Sequence, residues 1–231
     1  GADVAQILTA PRHVSGLEDW LTHHGLSIDD SMVLDPQNAS LPVPVQRNIG
    51  GLPVREIRML PYPHFPDIRG DGLNADNPIT AALGQLTLNW ASPINVDESR
   101  NQGRTVTPLL SSSAGSWLSS DLDILPDYRA WPDTGFQASG EHGSRMLAVA
   151  VDGRFDSFFK GKDSPLLKAL EEKQSADEPD MDGVSPAAES GAADTPGPIT
   201  SAIERSPASA RIILLASNTF ANDAALSLAS E

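Results

Sequence analysis

Arg211-Ile212-Ile213-Leu214-Leu215-Ala216 is an unbroken apolar run behind a single arginine, and its reading decides the fold. A run with no polar alternation is the pattern of a strand buried on both faces, as in a parallel sheet covered by helices. Asn218 follows, then Asn222 stands where a helix N-cap belongs. The pair therefore reads as a βα unit of a parallel sheet, and the fold class as α/β.

Upstream of this unit, Glu171 to Thr195 holds eight acids, one lysine and no aromatic residue. Such a segment cannot bury enough apolar surface to offset the entropy of ordering. The organisation expected is a main α/β domain over 1–171, a disordered acidic linker over 172–197, and a terminal βα unit over 198–231 that completes the same sheet. A helix starting at Ser164-Pro165 and a helical stretch from Pro198 to Arg205 flank the linker in this reading. Nineteen prolines, many between residues 36 and 132, forbid long helices there and predict a β-rich, Pro-rich middle section.

Local signals fill in the rest. Ser15 and Glu18 form a capping box, Leu17, Trp20 and Leu21 share a face, and Gly25 suits a left-handed closing position, which predicts a helix over 16–24. Ser31 to Leu34 reads as a strand running into an Asp35-Pro36-Gln37-Asn38 turn. Residues 41–47 and 52–60 flank Asn48-Ile49-Gly50-Gly51 as a hairpin. Asn77, Pro78 and Gly84 predict a short helix over Pro78 to Leu83. Strands are expected over Leu86 to Val96, Thr105 to Ser112 and Arg145 to Val151.

The formal net charge of −15 repels phosphate backbones, so nucleic acid is excluded as a partner class. With no cysteine, the chain has neither disulfides nor a thiol nucleophile. Its apolar runs fall far short of the roughly 20 residues of a spanning helix, and its first residues lack the pattern of a targeting segment. Any membrane anchor is expected outside these residues.

The five histidines are the natural place to look for chemistry. His23 and His24 close the first helix, where a cation complements the helix dipole. His13 and His142 stand alone, with no second ligand at metal spacing. His64, in Tyr62-Pro63-His64-Phe65 with Asp67 and Arg69 close behind, is the most site-like cluster. Trp131, in a polar Pro-rich stretch, is the tryptophan expected at the surface. Ser111 to Ser116 lacks a nucleophile elbow and reads as a polar turn. Asp67, Asp71 and Asp76 do not match a calcium loop. No catalytic residue, metal site or cofactor emerges.

The order of Trp20-Leu21, Met32-Val33-Leu34-Asp35-Pro36-Gln37-Asn38, Tyr62-Pro63-His64-Phe65-Pro66 and Asn77-Pro78-Ile79-Thr80 resembles the gliding-motility-type (GldG-like) auxiliary subunits of ABC transporters. The likeness continues through Leu86 to Pro93, Thr107 to Leu110, and Leu147 to Ala150 ahead of Gly153 and Phe155. In the closing segment, Ala216-Ser217-Asn218-Thr219-Phe220 lacks the family's two carboxylates. The resemblance implies a Rossmann-like or flavodoxin-like sheet without ATPase machinery of its own, consistent with the lack of a phosphate-binding loop. It also implies a non-catalytic domain on the periplasmic, extracytoplasmic face of the inner membrane, part of an integral membrane protein. Its partners would be the permease and ATPase subunits and a periplasmic or exported substrate. The alternative expectation is a small-ligand or glycan-binding module using Tyr62, His64, Phe65, Asp67, Arg69 and Trp131.

Overall fold

The computed structural model of the chain describes residues 14–50, 52–162 and 203–217. The acidic linker expected at 172–197, the helix from Ser164 and the Asn222-capped helix all lie outside the described residues. By contacts the chain divides into two compact units, Gly1–Gly153 with Arg211–Glu231, and Arg154–Ala210.

The larger unit is built of small antiparallel sheets. Its elements are α1 (Glu18–His23), β1 (Leu26–Ile28), β2 (Met32–Leu34), β3 (Asn38–Ile49), β4 (Leu52–Arg69) and a 3₁₀ turn over Gly70–Gly72. β5 (Gln85–Thr87), β6 (Ile94–Val96), β7 (Thr105–Ser111), β8 (Trp117–Ser119), β9 (Met146–Asp152) and β10 (Arg211–Leu215) follow. β1 pairs with β6, β2 with β8, β4 lies between β3 and β5, and β9 lies between β7 and β10. Every one of these pairings is antiparallel.

This overturns the α/β, Rossmann-like or flavodoxin-like expectation. The segment read as a doubly buried parallel strand is β10, which runs antiparallel to β9 with Ile213 opposite Ala150. β10 is a sheet edge, and Ile213 is 53% exposed. The strand buried on both faces is its neighbour β9, whose Leu147 to Val151 are all buried. An apolar run of five residues fits an edge strand as well as a central one, because composition alone does not count neighbours. A parallel pairing also needs a long crossover connection, and among the described residues the α-helix is the six-residue α1.

Several local expectations change in a similar way. α1 starts at Glu18, with the Glu18 carboxylate accepting from Ser15 N and Oγ at 2.8 and 2.9 Å, and it ends before Gly25 at φ +73°. A Cβ on Gly25 would come within 2.5 Å of Asn101 Nδ2, so both the left-handed backbone and the space require glycine there. The helix expected over Pro78 to Leu83 is a series of turns, although Asn77 Oδ1 does cap Ile79 N at 3.0 Å. Leu86 to Val96 is two strands, because Trp90 adopts φ +55° between them. In the smaller unit, Arg205 bridges Asp156 and binds its carboxylate at 2.6 Å, so the described end of the Pro198 to Arg205 segment is extended instead of helical.

The core gathers Val33, Ile68, Leu88, Leu109, Leu110 and Leu147 with three buried alanines. It is stitched by a buried polar knot at the Asp35-Pro36-Gln37-Asn38 turn. Asp35 is fully buried, and its carboxylate accepts from Gln37 N at 2.8 Å, Ser113 N at 2.7 Å and Ser113 Oγ at 2.6 Å. Gln37 Nε2 donates to Asp67 O at 2.6 Å, and Asn38 Oδ1 accepts from Tyr62 N at 2.7 Å. The turn thus ties β2, β3, β4 and the loop after β7 together. Ser111 to Ser116 is the hydrogen-bonded turn its sequence suggests, with Ser112 Oγ and Ser116 Oγ 2.7 Å apart and Ser116 Oγ donating to Gly143 O.

Beyond Asn38 and Pro61 the β3–β4 hairpin continues as a two-stranded ribbon to a two-residue turn, with Ile49 paired to Leu52 and Gly50 at φ +60°. A turn of this length closes on a hydrogen-bonded pair, and the phase alternates from there. Pro42, Pro44 and Pro53 therefore fall where a backbone N–H would point outward, so none of them breaks the internal ladder.

Asp35→Ala leaves the part-buried Ser113 and Gln37 amides without their acceptor. We expect it to lower the unfolding free energy of the chain by about 3 kcal/mol in urea denaturation. A loss below a few tenths would remove the knot from its structural role.

Candidate functional site

The Tyr62-Pro63-His64-Phe65-Pro66 stretch of β4 carries two prolines and a third just before it, so it can offer few backbone donors. Its carbonyls do the pairing on both sides. Pro63 O accepts from Asp35 N at 2.9 Å, while His64 O and Pro66 O accept from Trp90 N and Leu88 N, each at 3.0 Å. Bonds on both flanks place Trp90 across from His64 and hold it in the left-handed region. Trp90 is the single non-glycine residue with positive φ among the described residues, a conformation that persists only where its surroundings impose it.

The result is a cluster of rings. Tyr62 stacks edge-on against Phe65, Trp90 and Phe136 with centroids at 4.7, 5.6 and 5.6 Å. His64 lies 4.7 Å from Phe136, 5.4 Å from Trp90 and 5.4 Å from Tyr62. The loop carrying Phe136 is pinned to the same strand, with Tyr62 Oη donating to Ile124 O at 2.7 Å and Tyr128 Oη to Pro61 O at 2.5 Å. Gly135, at φ +73°, lets that loop fold back, since a Cβ there would meet Pro126 at 2.6 Å.

His64 is 1% exposed, and neither ring nitrogen has a hydrogen-bond partner among the described residues. Burial pushes its pKa down to about 4, with Asp121 opposing weakly. At neutral pH the imidazole is uncharged, and among the described residues no hydroxyl is within hydrogen-bond reach of it. Burial also raises the Tyr62 phenol well above its ordinary value. Both side chains pack as neutral rings.

The six residues expected to form a ligand loop divide. Tyr62, His64 and Phe65 join the ring cluster. Asp67 is buried a little further along β4, its Oδ2 3.5 Å from the exposed Arg69 guanidinium and its Oδ1 unpartnered among the described residues. Trp131 is 39% exposed in the loop that carries Phe136 and makes no ring contact with the cluster among the described residues. Trp90 and Phe136 complete the cluster, and nothing in their own neighbourhoods marks them. They lie about 25 and 70 residues from His64 in sequence, and packing alone brings them there. Among the described residues no three His, Asp or Glu side chains converge as a metal site.

His24 departs from the expected dipole role. It is buried beneath Trp20, centroids 4.4 Å apart, and burial first, then the His23 and Arg104 charges, lower its pKa to about 4.

These features describe an antiparallel β scaffold whose most site-like residues form a packed aromatic hub. A family model described as ABC-type uncharacterized transport system matches residues 2–226. The chain belongs to that family and is an auxiliary component of an ABC-type transport system. Neither the curated proteins nor the solved structures contain a match to it.

Two histidines neutral in the folded chain give stability a definite pH dependence. Their unfolded values lie near 6.5 and their folded values near 4. As pH falls from 6.5 towards 4, the unfolded chain takes up protons that the folded chain refuses, so stability falls by up to about 1.4 kcal/mol per pH unit for each group. Below pH 4 the slope from these groups vanishes. Urea midpoints between pH 7.5 and 4.5 should show this loss, and His64→Leu should remove about half of it. An unchanged slope in His64→Leu would mean that the imidazole is not held neutral.

Proposed function

We propose that this chain is a non-catalytic coupling domain of a GldG-like, gliding-motility-type auxiliary subunit, held on the extracytoplasmic face of the inner membrane by anchors outside these residues. It acts by contact with the permease and ATPase subunits of an ABC transport system. The observation that carries this reading is the β3–β4 ribbon, which exposes Leu52, Val54, Ile57 and Met59 to solvent on strands that no other element covers among the described residues. Apolar residues presented on both faces of an uncovered two-stranded ribbon suit a protein partner. The neutral, ring-packed His64 supports the absence of catalysis. Among the described residues no helix is long and apolar enough to cross a membrane.

Affinity purification of the full-length gene product from membranes, followed by mass spectrometry, should recover an ABC ATPase and its permease. Leu52→Asp at the ribbon tip, outside the 53–61 stretch, should reduce that recovery while leaving the denaturation midpoint of the domain unchanged. Recovery of neither subunit with a folded, abundant protein would sink this reading.

A further inference from the structure

The two outer edges of the ribbon are not alike. On β3, the successive outward-facing positions Pro42 and Pro44 have no donor, and only Gln46 and Asn48 offer outward N–H groups between them and the tip. On β4 the outward positions run Pro53, Arg55, Ile57, Met59 and Pro61. Prolines close both ends, and Tyr128 Oη already occupies the Pro61 carbonyl at 2.5 Å. Between them Arg55, Ile57 and Met59 turn their N–H and C=O groups outward. β5 reaches β4 only at Asp67 to Arg69, so it does not cover this stretch. Edge strands with free donors and acceptors and exposed apolar side chains are ordinarily blunted, because they template pairing. Here Pro42 and Pro44 interrupt the middle of the β3 edge, while on β4 three successive outward positions are left open between prolines.

The open stretch is self-complementary. Pro53 and Pro61 are equidistant in sequence from Ile57, and Glu56 and Arg58 flank it with opposite charges. We infer that two copies of the chain pair antiparallel through the outer edge of β4, centred on Ile57, to make a continuous four-stranded ribbon.

In this register Ile57 faces Ile57 of the second copy and Arg55 faces Met59, each pair exchanging two backbone hydrogen bonds. Glu56 stands opposite Arg58 twice over, and Val54 opposite Leu60, so the face with the charges also carries an apolar pair at each end. Pro53 meets Pro61, where neither has an N–H to donate, and the ladder stops. Shifting the register by two residues in either direction sets a proline among the bonded pairs and breaks the Glu56–Arg58 match. A two-fold arrangement of one patch on itself is the commonest way for like chains to associate. It also adds strands to a two-stranded ribbon that is marginal alone. The inference does not depend on the transporter reading, since it concerns the purified chain by itself.

The chain has no cysteine, which makes the register directly testable. Ile57→Cys places two thiols across the axis on paired residues about 5.5 Å apart at Cα, within disulfide reach. Leu52→Cys, at 70% exposure as accessible as Ile57 at 69%, sits near the tip, with its copy about 34 Å away along the strand. Sedimentation equilibrium of the unmodified chain should show a dimer. Under mild oxidation Ile57→Cys should convert to covalent dimer and Leu52→Cys should not. Glu56→Arg and Arg58→Glu should each weaken the dimer about tenfold, since each sets like charges opposite twice, and the double variant should restore it. A monomer at every concentration overturns the inference, as does equal cross-linking at positions 52 and 57 or failure of the double variant to recover. A monomeric chain that still recovers the ABC subunits from membranes would show the edge reserved for a foreign strand, leaving the transporter reading intact.

Discussion

A carboxylate taken fully out of water is tolerated only where donors replace its hydration, and the Asp35 knot is where this unit meets that condition. Ser113 supplies two of the donors from the loop after β7, and Gln37 supplies the third from the turn itself. Satisfying the carboxylate therefore fixes the distance between the β2–β3 turn and a loop almost eighty residues later. The same turn spends its amide side chains on β4, with Gln37 binding Asp67 O and Asn38 receiving Tyr62 N. Those two bonds bracket the Pro-rich segment, whose own backbone cannot secure it. The bulge between Asn38 and Ser40 follows, because the side chain of Asn38 stands in for a ladder partner opposite Tyr62.

From that anchor the aromatic hub becomes intelligible as a consequence. Once Asp35 N and Trp90 N have taken the carbonyls of Pro63 and His64, the His64 ring is directed away from polar groups and into Tyr62, Trp90 and Phe136. The strain at Trp90 is local, since a positive φ costs a tryptophan of order 1 kcal/mol or more. Three ring contacts, with Tyr62, His64 and Phe65, and one backbone bond to His64 O offset it. A histidine in such a place is a neutral aromatic whose second nature appears only under acid.

What could be read from the residues alone follows the range of the forces involved. The Gly25 cap, the presence of the β3–β4 hairpin, the Asp35 turn and the strands β7 and β9 are set by neighbours within a few positions, and each was legible, whereas the hairpin turn is two residues and not the four of Asn48 to Gly51. The direction of β10 was not, because Ile212 to Ala216 carries no mark of which strand lies beside it or on how many sides. Nor was the ring cluster. Tyr62, His64 and Phe65 announce themselves by adjacency, whereas Trp90 and Phe136 arrive through the fold. Prolines were read as breakers of helices. Their stronger message, that they fall at outward-facing positions of one ribbon, required the register.

The contrast within the larger unit bears on how an auxiliary component of a transport system would work. Its base is closed by buried leucines, a satisfied carboxylate and packed rings, each of which resists displacement. Its ribbon has no such cover among the described residues, yet sets Leu52, Val54, Ile57 and Met59 within eight residues of one strand, each exposed. Apolar side chains on both faces of two strands gain little from one another, so the ribbon's composition makes sense only in contact with something else. The prolines leave one stretch of three successive open positions on the edge of β4, at Arg55, Ile57 and Met59. A packed base that carries an uncovered apolar ribbon is an arrangement suited to contact, and it needs no chemistry at any residue.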